Sequence, residues 1–190
     1  MIVDPLTAAA ALRDGSVVAL PTDTVYGLAA DAAQPDAVER LFELKERPHD
    51  VQVPVLVADV PQARGLAVIA SSAVEGLLER FWPGPLTVVL HRLDGSGTIG
   101  LRCPEHAVVR DLCRRVGPLA TTSANRHGEP PVTTAAGVLD LFEGAVAVVD
   151  GGTCAGTPST VVDCTGPEPL LLRDGAVPFA VIADLFHSTP

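Results

Sequence analysis

Lysine is nearly missing from this chain of 190 residues: of 13 basic residues, all but Lys45 are arginine. A compact ammonium kept once among guanidinium groups marks a place where three freely rotating donors are needed, which makes Lys45 a candidate site residue. Long apolar runs are also missing, and no stretch approaches the ~18 uncharged residues of a membrane span. Met1-Ile2-Val3-Asp4-Pro5 has neither the basic start nor the apolar core of a signal peptide, so a cytosolic protein is expected. The four cysteines, Cys103, Cys113, Cys154 and Cys164, form no C-x-x-C pair, and they read as small buried hydrophobes in a reducing compartment. Positive charge is scarce overall. A net charge of −10 argues against a protein that grips nucleic acid through its phosphates.

Several motifs are present in letter only. Gly95-Ser96-Gly97-Thr98-Ile99-Gly100 has the spacing of a dinucleotide fingerprint, yet it runs into a β-like stretch instead of opening a helix, so a hairpin loop is expected. Gly151-Gly152-Thr153-Cys154-Ala155-Gly156-Thr157 has phosphate-loop glycines but no Lys, and Pro158 stands where Ser or Thr belongs. There is no G-x-S-x-G and no H-E-x-x-H, and His49, His91, His106, His127 and His187 lack metal-ligand spacing. Covalent and metal-centred catalysis are therefore not expected.

What is present is an apolar chain, 47% hydrophobic, that alternates helical and strand-like segments without repeat or linker. Asp4-Pro5 reads as a cap and first helical residue, with Gly15 closing that helix. Further helices are predicted from Pro35 to about Glu46, over Ser72–Phe81 behind a Ser72…Glu75 capping box, over 108–116, Ala135–Phe142 and Pro178–Phe186. Strands are predicted at Ser16–Leu20, Pro54–Val57, Leu86–Leu90, Thr98–Arg102, Leu119–Thr121, Ala145–Val149, Ser159–Val162 and Leu170–Leu172, with a polar loop over Thr122–Val132. Several connections are too short for a crossover helix, so the expectation is a single α/β domain over 1–190 built on a mixed sheet.

Four loops at strand ends share one composition of hydroxyls, glycines and fixed charges. They are Pro21–Leu28, Lys45–Pro48, Thr121–Asn125 and Asp150–Thr160. Such loops suit an anionic ligand, although a helix C-terminus alone would also favour Lys45 and Arg47, and Thr22 and Thr24 could simply bond local backbone.

Taken in order, Pro21-Thr22-Asp23-Thr24-Val25-Tyr26-Gly27-Leu28, Lys45-x-Arg47-Pro48, Trp82-Pro83-Gly84-Pro85-Leu86-Thr87, Arg102-Cys103-Pro104, Ser123-Ala124-Asn125 and Ser159-Thr160-Val161-Val162-Asp163 strongly resemble the YrdC-like threonylcarbamoyl-AMP synthases, in their short single-domain form. The resemblance runs from about residue 5 to 180. It implies a twisted sheet with a large open cleft, and an enzyme that joins L-threonine, bicarbonate and ATP into threonylcarbamoyl-adenylate and pyrophosphate. A separate transferase complex would then use the product in tRNA modification. It implies Lys45 and Arg47 as catalytic residues, with Thr98, Thr121, Ser123, Asn125 and Arg173 joining them around ATP. Thr22, Thr24, Arg102 and Ser159 would hold L-threonine. Magnesium would arrive on the triphosphate, with no dedicated protein site. Two positions depart from the family: Val51 replaces a polar residue and Leu56 a histidine. The competing readings are a same-fold relative that hydrolyses the adenylate or transfers a plain carbamoyl group, and an RNA-binding module. Arg126–Val132 is the candidate lid.

Overall fold

The computed structural model describes residues 1–45, 53–69, 71–126 and 129–188. In chain order these form β1 (Ile2–Val3), α1 (Pro5–Arg13), β2 (Val18–Leu20), β3 (Gly27–Asp31), α2 (Pro35–Lys45), β4 (Val55–Leu56), α3 (Val60–Arg64) and α4 (Ser72–Phe81). There follow β5 (Leu86–His91), β6 (Thr98–Arg102), α5 (Ala107–Val116), β7 (Leu119–Ser123), α6 (Ala135–Leu141), β8 (Ala147–Val149), β9 (Thr160–Asp163), β10 (Leu170–Arg173) and α7 (Phe179–Ser188). All ten strands share one sheet in the order β1-β8-β2-β3-β7-β4-β6-β5-β9-β10. Parallel pairs (β1/β8, β2/β8, β4/β6, β5/β9) mix with antiparallel ones (β2/β3, β3/β7, β4/β7, β5/β6, β9/β10), as the short connections predicted. Among the described residues no helix is long and apolar enough to cross a membrane.

Side chains alternate across a strand, and that alternation divides the core. Ala19, Leu28, Ala30 and Val148 point to the face covered by α2 and α6, while Val18, Leu20, Ala29 and Val149 point to the face covered by α1 and α5. This half of the sheet is buried on both sides. The other half is not. Leu86, Val88 and Leu90 of β5, Ile99 and Leu101 of β6, and Val162 of β9 pack under α3, α4 and α7. Their alternates, Thr87, Val89, Thr98, Gly100, Arg102, Val161 and Asp163, face an open cleft instead.

Local chemistry accounts for most element ends. The Asp4 carboxylate accepts from the backbone N–H of Leu6 and Thr7, at 2.9 and 3.1 Å, and so caps α1. The glycine motif at 95–100 forms the β5–β6 hairpin, with Gly95 and Gly97 at φ 73° and 115°. The capping box expected at Ser72 does not form: Ser71 is the N-cap, it makes no side-chain cap bond, and Glu75 pairs with Arg64. The polar segment after Thr121 is not all loop. β7 continues through Ser123 because β3, which sequence patterning did not predict, pairs along it from Gly27↔Ser123 to Asp31↔Leu119.

Candidate functional site

The uncovered face of β6, β5, β9 and β10 is the floor of a cleft of about 660 Å³. The Pro21–Leu28 loop, the end of β7 and the segment before β9 form its walls. Nine of the predicted site residues meet there: Thr22, Thr24, Thr98, Arg102, Thr121, Ser123, Asn125, Ser159 and Arg173 all line this one space. Lys45 reaches it from the last turn of α2 through Ser123 and Asn125. Arg47, with His49 and Val51, lies outside the described residues.

Hydrogen-bond directions fix what each group can offer. The Thr22 hydroxyl donates to Val25 O at 2.7 Å and accepts from the N–H groups of Thr24 and Val25. Because its one proton goes to Val25 O, the 2.9 Å contact with Thr24 Oγ1 is one that Thr24 donates, on an oxygen shared with the two N–H groups. Thr22 is left with no capacity for a ligand and serves to orient Thr24. Thr24 Oγ1 also accepts from Arg102 Nη1 at 2.9 Å, so only a lone pair remains on it. In this state Thr24 can take a hydrogen from an N–H or O–H, and can give none.

Arg102 is 6% exposed, and three of its five N–H groups are committed. Nε donates to Gly84 O at 3.1 Å, Nη1 to Thr24 Oγ1, and Nη2 to Asp23 Oδ1 at 2.6 Å. Burial pulls its pKa below the ordinary arginine value, and the Asp23 carboxylate opposes that shift. Asp23 Oδ1 also accepts from Glu105 N at 3.1 Å. Asp23 Oδ2 and the nearby His106 Nδ1 are buried without a hydrogen-bond partner among the described residues. Burial holds His106 below its usual pKa, opposed by the charge of Asp23.

A second group gathers around Ser159. Gly175 permits it: a Cβ there would stand 2.5 Å from Pro158 O and from the backbone of Ser159 and Thr160. This close approach lets Arg173 donate to Ser159 O (Nε 3.1 Å, Nη2 2.9 Å) and to Ser159 Oγ (Nη2 2.9 Å). The Ser159 hydroxyl also contacts Thr87 Oγ1 at 2.9 Å. Thr87 belongs to the recognised Pro85-Leu86-Thr87 segment but was not among the predicted site residues. Its signal was the single hydroxyl in an otherwise apolar strand.

The third group is built on Lys45, which is 5% exposed. The three hydrogens of its ammonium are shared among four acceptors: Thr122 Oγ1 (3.0 Å), Ser123 O (2.7 Å), Ser123 Oγ (2.9 Å) and Asn125 Oδ1 (2.9 Å). Ser123 Oγ in turn donates to Asn125 Oδ1 at 2.6 Å, and Asn125 Nδ2 donates to Arg126 O and Glu129 O. Thus the S-x-N pattern ties the start of the 126–132 segment to α2. That segment's other end is bonded too, Val132 N to Ala124 O and Tyr26 N to Val132 O. Thr121 donates to Leu28 O at 2.9 Å and so can only accept from a ligand. Leu56, at the family's histidine position, is buried and adds an apolar surface to the cleft.

The four cysteines are free and buried, and burial pushes Cys103 up to about 11 and Cys113 and Cys164 up to about 12. Tyr26 clamps the glycine-rich loop after β8, accepting from Gly151 N at 3.1 Å and donating to Gly152 O at 3.0 Å. Among the described residues no group of three or more His, Cys, Asp or Glu could hold a metal ion.

The chain shares its sequence and fold with known proteins. The chain is 41% identical over 182 residues to the threonylcarbamoyl-AMP synthase of Bacillus subtilis (strain 168), covering 90% of this chain and 53% of that protein. It is 38% identical over 192 residues to the putative threonylcarbamoyl-AMP synthase of Mycobacterium tuberculosis (strain ATCC 25618 / H37Rv), covering 95% and 88%. The chain thus spans about half the length of the first relative and most of the second. The crystal structure of P. abyssi Sua5 complexed with L-threonine superposes with a TM-score of 0.92 at 36% identity, covering 100% of this chain and 62% of that one. The Sua5_yciO_yrdC family, described as telomere recombination, matches residues 10–175, and the chain belongs to that family.

Proposed function

We propose that this chain is a threonylcarbamoyl-AMP synthase, converting L-threonine, bicarbonate and ATP into threonylcarbamoyl-adenylate, pyrophosphate and water. One observation carries the reading. Arg102, with two N–H groups uncommitted, is bonded directly to Thr24, whose hydroxyl has only a lone pair left. A guanidinium suits a carboxylate, and the adjoining lone pair suits an amine hydrogen. Together they form a receptor for the two polar groups of an amino acid.

The chemistry needs no covalent enzyme intermediate. The amine nitrogen attacks the bicarbonate carbon; a C–N bond forms, the C–OH bond breaks, and the hydroxide leaves as water with the proton from the nitrogen, giving the carbamate. A carbamate oxygen then attacks the α-phosphorus of ATP and the P–O bond to pyrophosphate breaks. Thr24 can fix the amine with its lone pair directed at the carbon, since it accepts one of the nitrogen's hydrogens. Lys45, whose hydrogens are shared among Thr122, Ser123 and Asn125 at the cleft wall, is assigned by its place in the family motif to oppose, through its positive charge, the charge that develops on the phosphate as pyrophosphate departs. Arg47 is assigned to the same task by its place in the family motif. Gathering three small substrates in one cleft lowers the entropic barrier and keeps water from a labile carbamate. Magnesium is assigned to the triphosphate, as part of the substrate. The product is assigned to a downstream transferase acting on tRNA, in a soluble compartment.

The test is pyrophosphate release from ATP by the purified chain with L-threonine and bicarbonate each left out in turn. Release that requires both supports the reading. Release that is indifferent to threonine overturns it.

A further inference from the structure

Thr87 is 2% exposed and Ser159 4% exposed, yet both line the cleft. Their hydroxyls lie 2.9 Å apart, and Ser159 Oγ accepts from Arg173 Nη2. A guanidinium can only donate, so that bond uses a lone pair of Ser159 and none of its hydrogen. Two protons and one mutual bond remain. If Ser159 donates to Thr87, the Thr87 proton is uncommitted; if Thr87 donates to Ser159, the Ser159 proton is uncommitted. In both cases the pair holds one O–H with no acceptor among the described residues. A buried donor left unmet costs free energy, so a ligand that meets it gains.

The sheet says where that donor stands. Val88 pairs with Leu101 across β5 and β6, and continuing this register sets Thr87 opposite Arg102 on the cleft face. In the other direction Thr87 pairs with Val161 of β9, next to the segment that carries Ser159. The Thr87 methyl covers Gly100, where a Cβ would lie 3.6 Å away, so the hydroxyl rather than the methyl is turned to Ser159. The Thr87 hydroxyl is therefore a cross-strand neighbour of the two uncommitted N–H groups of Arg102, with the Ser159 hydroxyl 2.9 Å from it.

We propose that Thr87, with Ser159 donating to its oxygen, gives its own proton to the carboxylate of the amino-acid substrate beside Arg102, making Thr87 a further substrate-binding residue of this site. A carboxylate has lone pairs enough for all three donors, and a neutral O–H adds to its binding without adding charge. This rests on the amino-acid reading of the cleft given above.

The experiment is calorimetric titration of the purified chain and its Thr87 variants with L-threonine, repeated with L-2-aminobutyrate, which keeps the carboxylate and lacks the side-chain hydroxyl. Thr87→Val keeps the branched shape and removes the oxygen, and it should weaken L-threonine binding about tenfold or more, as expected for a hydrogen bond to a charged group. Thr87→Ser should bind like the wild type. The Val variant's loss should be the same for L-2-aminobutyrate; a loss confined to L-threonine would show that the side-chain hydroxyl is the acceptor and overturn the assignment. Wild-type affinity in Thr87→Val, or an equal loss in Thr87→Ser, would also overturn it. If Thr87→Val loses its cooperative melt, Thr87→Cys replaces it, because a thiol is the weaker donor. It must then bind more weakly than Thr87→Ser, and equality refutes the pair. Pyrophosphate release by the wild type in the presence and absence of L-threonine is read alongside. A wild type that neither binds nor requires L-threonine removes the functional reading and this proposal with it, whereas a threonine-dependent wild type with an indifferent Thr87→Val removes the proposal alone.

Discussion

Removing the Asp23 carboxylate should be costly, and the structure indicates by how much. Arg102 and Asp23 meet at 2.6 Å with side chains only 8% and 14% exposed, so neither charge has much water to fall back on. Removing one member of a buried ion pair usually costs about 3–5 kcal/mol, because the surviving charge stays buried and unpaired. In Asp23→Ala the guanidinium would keep Gly84 O and Thr24 Oγ1, two neutral partners, which places the cost at the low end of that range. A loss of about 3 kcal/mol in a chain of this size corresponds to about 6–12 °C in Tm. Asp23→Asn should lose less, since its amide oxygen can still accept from Arg102 and from Glu105 N. The double variant Asp23→Ala/Arg102→Ala should be more stable than the sum of the two single losses predicts, because no buried charge is left alone. Thermal and urea melts of the four proteins measure this cycle. Strictly additive losses, or an Asp23→Ala protein that melts with the wild type, would refute the claim that the pair is buried and coupled.

Two further outcomes follow from the same geometry. Lys45→Met should abolish most pyrophosphate release while Lys45→Arg fails to restore it, because a planar fork cannot meet four acceptors that converge on one point; near-wild-type turnover in either variant would contradict the assignment. His106, held by burial below its ordinary value of 6.5, resists protonation in the native state more than in the unfolded one. Its contribution is present above 6.5 and is lost as the pH falls below that value, so His106→Gln should flatten the decline in stability on the acid side, as read by urea melts at a series of pH values.

The half-covered sheet was legible in the sequence, and so were most of the polar residues that line its cleft. Thr98-Ile99-Gly100-Leu101-Arg102 alternates large apolar residues with small, polar or charged ones, the signature of a strand with one buried face, and Thr87 marks the same face in Leu86-Thr87-Val88-Val89-Leu90 although Val89 does not. The residues turned from the core along these strands are the cleft floor. β3 was not legible: Gly27-Leu28-Ala29-Ala30-Asp31 is buried on both faces, does not alternate, and has little strand propensity, so only its neighbours β2 and β7 make it a strand. Missing β3 also shortened β7 in the prediction and turned Thr122 and Ser123 into loop. The direction of each hydroxyl bond was beyond the sequence as well. Thr22 and Thr24 look equivalent in Pro-Thr-Asp-Thr, and only the 2.7 Å bond from Thr22 to Val25 O shows that Thr22 is spent on its own loop while Thr24 keeps a lone pair at the cleft. Thr87 was passed over for a related reason, since nothing in its own segment reveals Ser159, which comes from 72 residues further along the chain.

The central claim is that this cleft joins an amino acid, a one-carbon unit and a nucleotide. It is tested most directly by incubating the purified chain with ATP, L-threonine and ¹³C-labelled bicarbonate and reading the nucleotide products by mass spectrometry. The account predicts an adenylate that carries intact threonine and one labelled carbon, formed together with pyrophosphate. An adenylate that carries the labelled carbon without threonine, or nucleotide products free of label, would contradict it.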